Sequence, residues 1–263
     1  MQETISALKR PLSGLVSISF RKLSPSHVVD LAASCGLDGI EWGGDIHVPH
    51  GDLGQAREVR LVTAAAGLQS LAYGSYYKLG ESEASGLSFD RVLETAVALE
   101  TPLIRVWAGS VGSAEADEVK WHEVCWDAER VASLAGEAGV KVGVEFHGES
   151  LNDSPAGARR FWKELQHPNL HSLWQPLLPL SDNDKEVSLK IVMDRLCQVH
   201  VFHWRPDWEP RPLSEGTDEW KRWFGLIGSQ RPSTPALLEF IVGDDPANLP
   251  ADAATLKAML GAS

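Results

Sequence analysis

Four polar residues stand at the ends of apolar runs that otherwise read as buried strand. Glu145 lies in VKVGVEFH, Gln175 in SLWQP, His200 in QVHVFHW and Glu239 in PALLEF. A carboxylate in such a run is costly to bury unless a partner offsets its lost hydration, and a metal ion is one such partner. Two carboxylates, an imidazole and an amide oxygen suit one divalent ion (Mn²⁺, Mg²⁺, Co²⁺ or Zn²⁺) with positions left open for a substrate. Each residue also has a plainer reading, because a Glu in a strand is commonly paired with an arginine or held by backbone amides. Four such residues closing four consecutive strands are harder to explain that way, although spacing this wide is no local motif.

The elements that must carry them alternate along the chain. Short apolar, β-rich runs fall at 15–20, 39–42, 68–73, 103–107, 140–146, 171–174, 198–202 and 236–241. Helical patterns lie between and after them, at 24–35, 54–66, 88–100, 116–138, 154–165, 183–195, 217–227 and 251–260. This is roughly 31 residues per unit, the length of a strand, a helix and two turns. Ser24-Pro25 reads as an N-cap followed by proline in the first helical turn. Gly36, Gly67 and Gly139 each close a helix just before an apolar run, where glycine can adopt the left-handed backbone that stops a helix. The strands are near-continuous apolar runs, as in a parallel sheet covered by helices.

A chain of this kind folds either as a closed barrel or as an open doubly wound sheet. The polar residues decide. Glu41, Tyr73, Trp107, Glu145, Gln175, His200 and Glu239 all fall at the C-terminal ends of different strands. A barrel gathers all of those ends around one mouth, whereas an open sheet uses mainly its switch point. A single (β/α)8 TIM barrel over residues 1–263 is therefore expected, with no linker or composition break to divide it.

The bulk properties narrow the function. The 263 residues carry 24 Lys and Arg against 36 Asp and Glu, a formal charge of −12. That balance opposes general nucleic-acid binding, which needs a basic surface against phosphates. No run of 18 apolar residues exists and the opening MQETISALKRPLSG lacks a charged-then-apolar leader, so a cytoplasmic protein without a membrane partner is expected. Cys35, Cys125 and Cys197 form no C-x-x-C pair and read as reduced structural thiols. The triplet Asn152-Asp153-Ser154 has the form of a glycosylation site, expected to be idle without export. Nucleotide-binding glycine motifs, a P-loop and H-E-x-x-H are all missing.

The segments GLDGIEWGGDIHVPHGD, IRVWAG, VGVEFHGESLNDS, LWQP, VHVFHW with RPLSEG, and LLEF resemble the xylose isomerase-like TIM barrel superfamily, the sugar phosphate isomerase/epimerase group. They span roughly residues 36–242. The resemblance implies metal ligands at Glu145, Gln175, His200 and Glu239, and a metal-assisted proton transfer through an enediolate with Glu145 and Glu239 as the catalytic pair. Gln175 departs from the pattern, since Asp is usual there; the amide can coordinate but removes one negative charge. A base on each face of a keto-sugar permits epimerisation, and transfer between adjacent carbons gives aldose–ketose isomerisation. The same intermediate can expel a β-substituent, so a lyase or dehydratase acting on an oxidised sugar is an alternative. A sugar-binding barrel that has lost its metal is another, kept open by Gln175. The related DNA-repair endonuclease group shares the barrel but needs a basic surface, which the charge of −12 opposes.

Other residues are candidates for substrate contact. Strand parity puts His147 on the side of Glu145, as a substrate or ligand-orienting group or as a structural histidine. His203 stands three after His200, where relatives often have Asp. His47 and His50, after the second strand, could reach the mouth or lie solvated. Arg205 and Arg211 could grip a phosphate or carboxylate, or be solvated. Tyr73, Trp42, Trp107, Trp174 and Trp204 could form a platform for the apolar face of a sugar, with core packing as the alternative. Glu41 and Arg105 are expected to form a buried ion pair beneath the site, with contact to a substrate hydroxyl as the alternative for Glu41. The ligand expected is a small carbohydrate, and the aromatic loop 204–208 could pack on a second copy of the chain.

Overall fold

Short parallel strands closed into a ring are what the glycine-stopped helices and apolar runs deliver. The structure, a computed structural model, describes residues 10–261. Most of the opening segment read as lacking a leader lies outside the described residues, and no described helix is long and apolar enough to cross a membrane. The barrel strands are β1 (Ser13–Val16), β2 (Gly39–Gly43), β3 (Gln69–Lys78), β4 (Leu103–Trp107), β5 (Lys141–Glu145), β6 (Leu170–Trp174), β7 (Leu196–Val201) and β8 (Ala236–Leu238). Each pairs in parallel with its neighbours, and β1 closes the ring by pairing with both β2 and β8, Gly14 opposite Gly39 and Ser13 opposite Ala236.

The covering helices are α1 (Pro25–Ser34), α2 (Leu53–Ala65), α3 (Phe89–Ala98), α4 (Glu118–Glu137), α5 (Pro155–Glu164), α6 (Asp182–Val192), α7 (Thr217–Gln230) and α8 (Leu249–Met259). Six of them start under a Ser or Asp cap whose side chain accepts a first-turn amide: Ser24, Asp52, Ser88, Asp117, Ser154 and Ser181. Such caps satisfy amides that have no partner inside the helix. The three helix-stopping glycines have φ of +63° at Gly36, +77° at Gly67 and +72° at Gly139, as their position before a strand requires. The main core lies between sheet and helices, and a small second cluster of Val16, Leu71 and Leu237 plugs the lower interior of the ring.

Several boundaries differ from the sequence reading, each for a local reason. The first strand stops at Val16 and gives way to a 3-10 turn over Ser17–Phe20, where the Ser17 side chain takes over from the backbone: its Oγ accepts Gly43 N–H and lies 2.9 Å from His47 Nδ1. The third strand runs on to Lys78 through a bulge, with Tyr76 at φ +55°. The eighth strand is only three residues long, since Phe240 at φ +56° turns the chain off the sheet directly after Glu239. The helix expected at 183–195 ends at Val192 and tightens into a 3-10 turn over Met193–Arg195. A short antiparallel hairpin, His203–Trp204 against Pro210–Arg211, rises beyond β7.

At the opposite end of the ring, His171 on β6 sits near Lys141, Arg195 and Arg231. Burial and those three cations hold its ring down to about 4 from an ordinary 6.5. The unfolded chain therefore binds a proton that the folded chain refuses between those values, so stability falls as pH drops from about 6.5 towards 4. Because His171 is only half-buried, solvent screening limits the effect to on the order of 1 kcal/mol. Urea midpoints at pH 7.5 and 5 are expected to separate in the wild type, and His171→Gln is expected to narrow that gap.

Candidate active site

At the C-terminal end of the ring, side chains from four strands and from the residues directly after two others converge. Glu41 comes from β2, Arg105 from β4, Glu145 from β5, and Gln198 and His200 from β7, while Glu239 follows β8 directly and Gln175 follows β6 directly. All are 5% exposed or less. Arg105 forks between two carboxylates, its Nε donating to Glu41 Oε1 at 2.7 Å and its Nη1 to Glu145 Oε2. The expected Glu41–Arg105 ion pair is present, and it reaches the site instead of lying wholly beneath it. Gly74 on β3 makes room for it: a Cβ there would stand 2.7 Å from Arg105 Nη2 and 2.8 Å from Glu41 Oε1.

Glu41 also anchors the histidine. Its Oε2 lies 2.9 Å from His200 Nε2 and accepts from Gln198 Nε2 as well. A carboxylate on one ring nitrogen fixes the imidazole and directs the other nitrogen outward. That other atom, Nδ1, stands 3.3 Å from Glu145 Oε1 and 3.3 Å from Glu239 Oε2. Glu145 is further held by Trp107 Nε1, which donates to Oε2, and by Gln175 Nε2, which donates to Oε1 at 2.9 Å. Behind it, the buried Asn152 amide donates to the Glu145 backbone carbonyl at 3.3 Å, so the Asn of the glycosylation-like triplet is a structural strut.

The electrostatics follow from a count of three buried carboxylates against one permanent cation. Burial pushes the Glu145 carboxyl up, but the Arg105 guanidinium and the His200 ring reverse this and hold it well below the usual range. Burial likewise opposes a charge on His200, yet Glu239 and Glu41 raise its proton affinity well above the ordinary value. The pocket therefore demands positive charge at His200 Nδ1. A proton meets that demand, and so does a cation held by the same atoms.

The donor set fits a divalent ion in type and in charge. His200 Nδ1 and Glu239 Oε2 are buried with no hydrogen-bond partner, and Glu145 Oε1 faces the same point. Three carboxylates with Arg105 and a neutral His200 carry a net charge of −2, which one divalent ion cancels. The strand-six position fits through its amide oxygen once the side chain turns over, because it presently offers nitrogen to Glu145. As the side chains stand, no group of three or more His, Cys, Asp and Glu among the described residues is preassembled to hold a metal.

His147 and Trp107 join this cluster. Their rings stack at 4.5 Å with 26° between planes, and His147 Nδ1 lies 2.6 Å from the Gly148 carbonyl. Tyr76 packs edge-on to Trp107 at 5.2 Å and under the Arg105 guanidinium at 4.8 Å from its ring centre. The other aromatic candidates are elsewhere. Tyr73 is fully buried and donates to the Val48 carbonyl at 2.9 Å, outside the ring of strands. Trp42 is equally buried and meets His47 edge-on, while Trp174 packs among Trp220 and Trp223 of α7. His47 is spent on Ser17 and the Leu23 carbonyl, and His50 on the Ser75 carbonyl. Arg205 pairs with Glu215 and Arg211 with Glu209 on the hairpin, and His203 faces Glu219 at 3.8 Å.

A cleft of about 560 Å³ opens beside Gln175 and His147, walled by Phe202, Trp204, Trp208 and Phe240 on one side and residues 176–180 on the other. Sequence reasoning missed Tyr76, Gln198, Asn152 and Phe240. Only Gln198 had a readable signal, a polar side chain two residues before His200 and hence on its face of the strand.

A closed (β/α)8 barrel that gathers buried carboxylates and a histidine at its C-terminal mouth puts its polar cluster on the face where TIM-barrel enzymes carry their sites. The chain belongs to the xylose isomerase-like TIM barrel family, whose sequence profile matches residues 29–259. No curated protein matches it by sequence. Among solved structures it is similar to the probable 3-DHS dehydratase involved in petrobactin synthesis from Bacillus anthracis, at a TM-score of 0.77 and 19% identity over 94% of this chain and 98% of that one. It is similar to the 3-keto-D-glucoside 4-epimerase from E. coli, at 0.75 and 17% over 95% and 99%. It is also similar to a xylose isomerase-like TIM barrel protein from Mycobacterium smegmatis in complex with magnesium, at 0.74 and 15% over 98% and 99%. At these identities the likeness concerns the fold.

Proposed function

We propose that the protein is an isomerase or epimerase of a keto-sugar, moving a proton between Glu145 and Glu239 with the help of one divalent ion. The observation that carries this reading is the meeting of two carboxylate oxygens from different strands, each 3.3 Å from His200 Nδ1, at the mouth of the barrel. When bound by Glu145, His200, Glu239 and the Gln175 oxygen, such an ion would polarise the substrate carbonyl and lower the cost of the carbanion beside it. Glu239 is the freer base, since its Oε2 accepts no hydrogen bond. Glu145, taking hydrogen bonds from Arg105, Trp107 and Gln175, stays ionised and oriented, and returns or removes the proton on the opposite face. Arg105 and Trp107 keep that carboxylate from turning, and His147, stacked on Trp107, would bind a substrate hydroxyl.

The similarity to a dehydratase and to an epimerase supports proton abstraction beside a carbonyl as the shared step without choosing between its outcomes. The test is proton exchange in D₂O. Keto-sugars incubated with the protein and Mn²⁺ or Mg²⁺ are expected to lose the signal of the proton next to the carbonyl, and EDTA is expected to stop the loss. Loss of water or another group by mass spectrometry would assign elimination in place of isomerisation. Absence of exchange across aldoses, ketoses and 3-keto-glucosides, with or without ion, would refute the reading.

A further inference from the structure

The cleft beside the carboxylates offers more apolar surface than a sugar alone would use. Its far wall is an aromatic panel: Phe240 lies 4.6 Å from Trp204 and 5.2 Å from Phe202 between ring centres, and Trp208 meets Trp204 at 5.6 Å. Its near wall is the Pro/Leu run 176–180, PLLPL. Two of these rings are set by backbone held in the left-handed region, Phe240 at φ +56° and Trp208 at φ +64°. Non-glycine residues occupy that region at a cost, and such outliers gather where the surroundings fix a side chain for a task. Trp208, at 59% exposed, stands over the opening of this cleft at the turn of the hairpin.

The lining also excludes a class of ligand. Its charged groups are Glu149 and Asp153, and no Lys or Arg is among the lining residues. The two arginines that could have met a phosphate, Arg205 and Arg211, are paired with Glu215 and Glu209. A sugar phosphate would bring two negative charges towards acids and into apolar walls that cannot replace its water. A bare sugar would find hydrogen-bond partners at His147, Glu149, Asp153 and Gln175 and would leave the leucine, proline and aromatic walls without a complementary surface. The volume of about 560 Å³ lies within the range of sites for drug-sized ligands, about 300–1,000 Å³.

We propose that this cleft is a subsite for an uncharged apolar or aromatic group carried by the substrate sugar, so that the substrate is a glycoside with a hydrophobic aglycone and not a sugar phosphate. The inference rests on reading the mouth as a sugar site. It is argued from continuity, because Gln175 and His147 form both the floor of the cleft and the edge of the carboxylate cluster. The sugar ring would lie over Glu145 and Glu239, and the aglycone between the Phe202–Phe240 panel and the leucines.

Binding, measured apart from turnover, tests it. Isothermal titration of the full chain is carried out with methyl β-glucoside, phenyl β-glucoside and glucose 6-phosphate, and repeated with Trp208→Ser. The phenyl compound is expected to bind at least about tenfold tighter than the methyl compound, the size of effect a filled apolar pocket gives. That ratio is expected to shrink to about threefold or less in Trp208→Ser, which removes a mostly exposed ring and leaves the core intact. Equal affinity for the two glucosides, tightest binding of the phosphate, or no binding of any would overturn the proposal. So would a phenyl preference unchanged in Trp208→Ser together with conversion of a dimer to a monomer in sedimentation, which would make the panel an interface between copies. A phenyl preference without proton exchange sinks the catalytic reading and upholds the subsite, and exchange of free sugars with no phenyl preference does the reverse.

Discussion

Arg105→Met is expected to destabilise the protein by about 3–5 kcal/mol, the usual result of leaving buried charge without its partner. In a chain of this size that lowers the melting midpoint by roughly 6–20 °C. The reason is visible in the fork: one guanidinium, 2% exposed, serves both Glu41 and Glu145. Without it three buried carboxylates share only His200. Arg105→Lys should recover a minority of the loss, since an ammonium cannot serve two carboxylates in a planar fork. Adding Glu41→Gln to Arg105→Met should recover more, because it removes one of the orphaned charges. Calorimetric melts of the two single variants and the double variant give the coupling directly. If Arg105→Met melts with the wild type, the network holds no net energy and the account of the mouth is wrong.

The largest kinetic effect is expected from the two carboxylates. On the proposed reading Glu145→Gln and Glu239→Gln each slow interconversion of the sugar epimers by about 10²–10⁴-fold, the range for a general acid or base. The two variants should fail differently. Each retains one carboxylate, so each should still exchange the proton of whichever epimer presents it to the surviving side. Exchange surviving for opposite epimers in the two variants would establish a base on each face. Exchange abolished for both epimers in only one variant would leave a single base and remove the other from the proton path. Glu239→Gln is the cleaner variant of the two, since Glu239 Oε2 accepts no hydrogen bond whereas Glu145 is tied to Arg105, Trp107 and Gln175.

The barrel was legible because its signals are local and repeated. Caps such as Ser24, stops such as Gly139 and apolar runs between them state strand and helix in turn. Glu41, Arg105, Glu145, Gln175, His200 and Glu239 were readable as polar residues at strand ends, and they do converge. What failed to show was direction and strain. Tyr73 and Trp174 also close apolar runs, but alternate residues of a strand face opposite sides, and these two face the helices. Attention to parity would have set them aside, since Gly74 and Gln175, one residue on, are the ones that reach the interior. Tyr76 and Phe240 were invisible because their placement depends on left-handed backbone in residues that rarely adopt it.

The pairing of β1 with β8 has a consequence for how the protein is made. Synthesis runs from the N-terminus, so seven strands can be complete while Val199–Val201 and the far edge of Ser13–Leu15, whose other edge is already paired with β2, both stand open. The same last strand delivers Glu239. A nascent chain paused before that point has Glu145 in place, no Glu239 opposite His200, and a gap in its wall; the second carboxylate arrives together with ring closure.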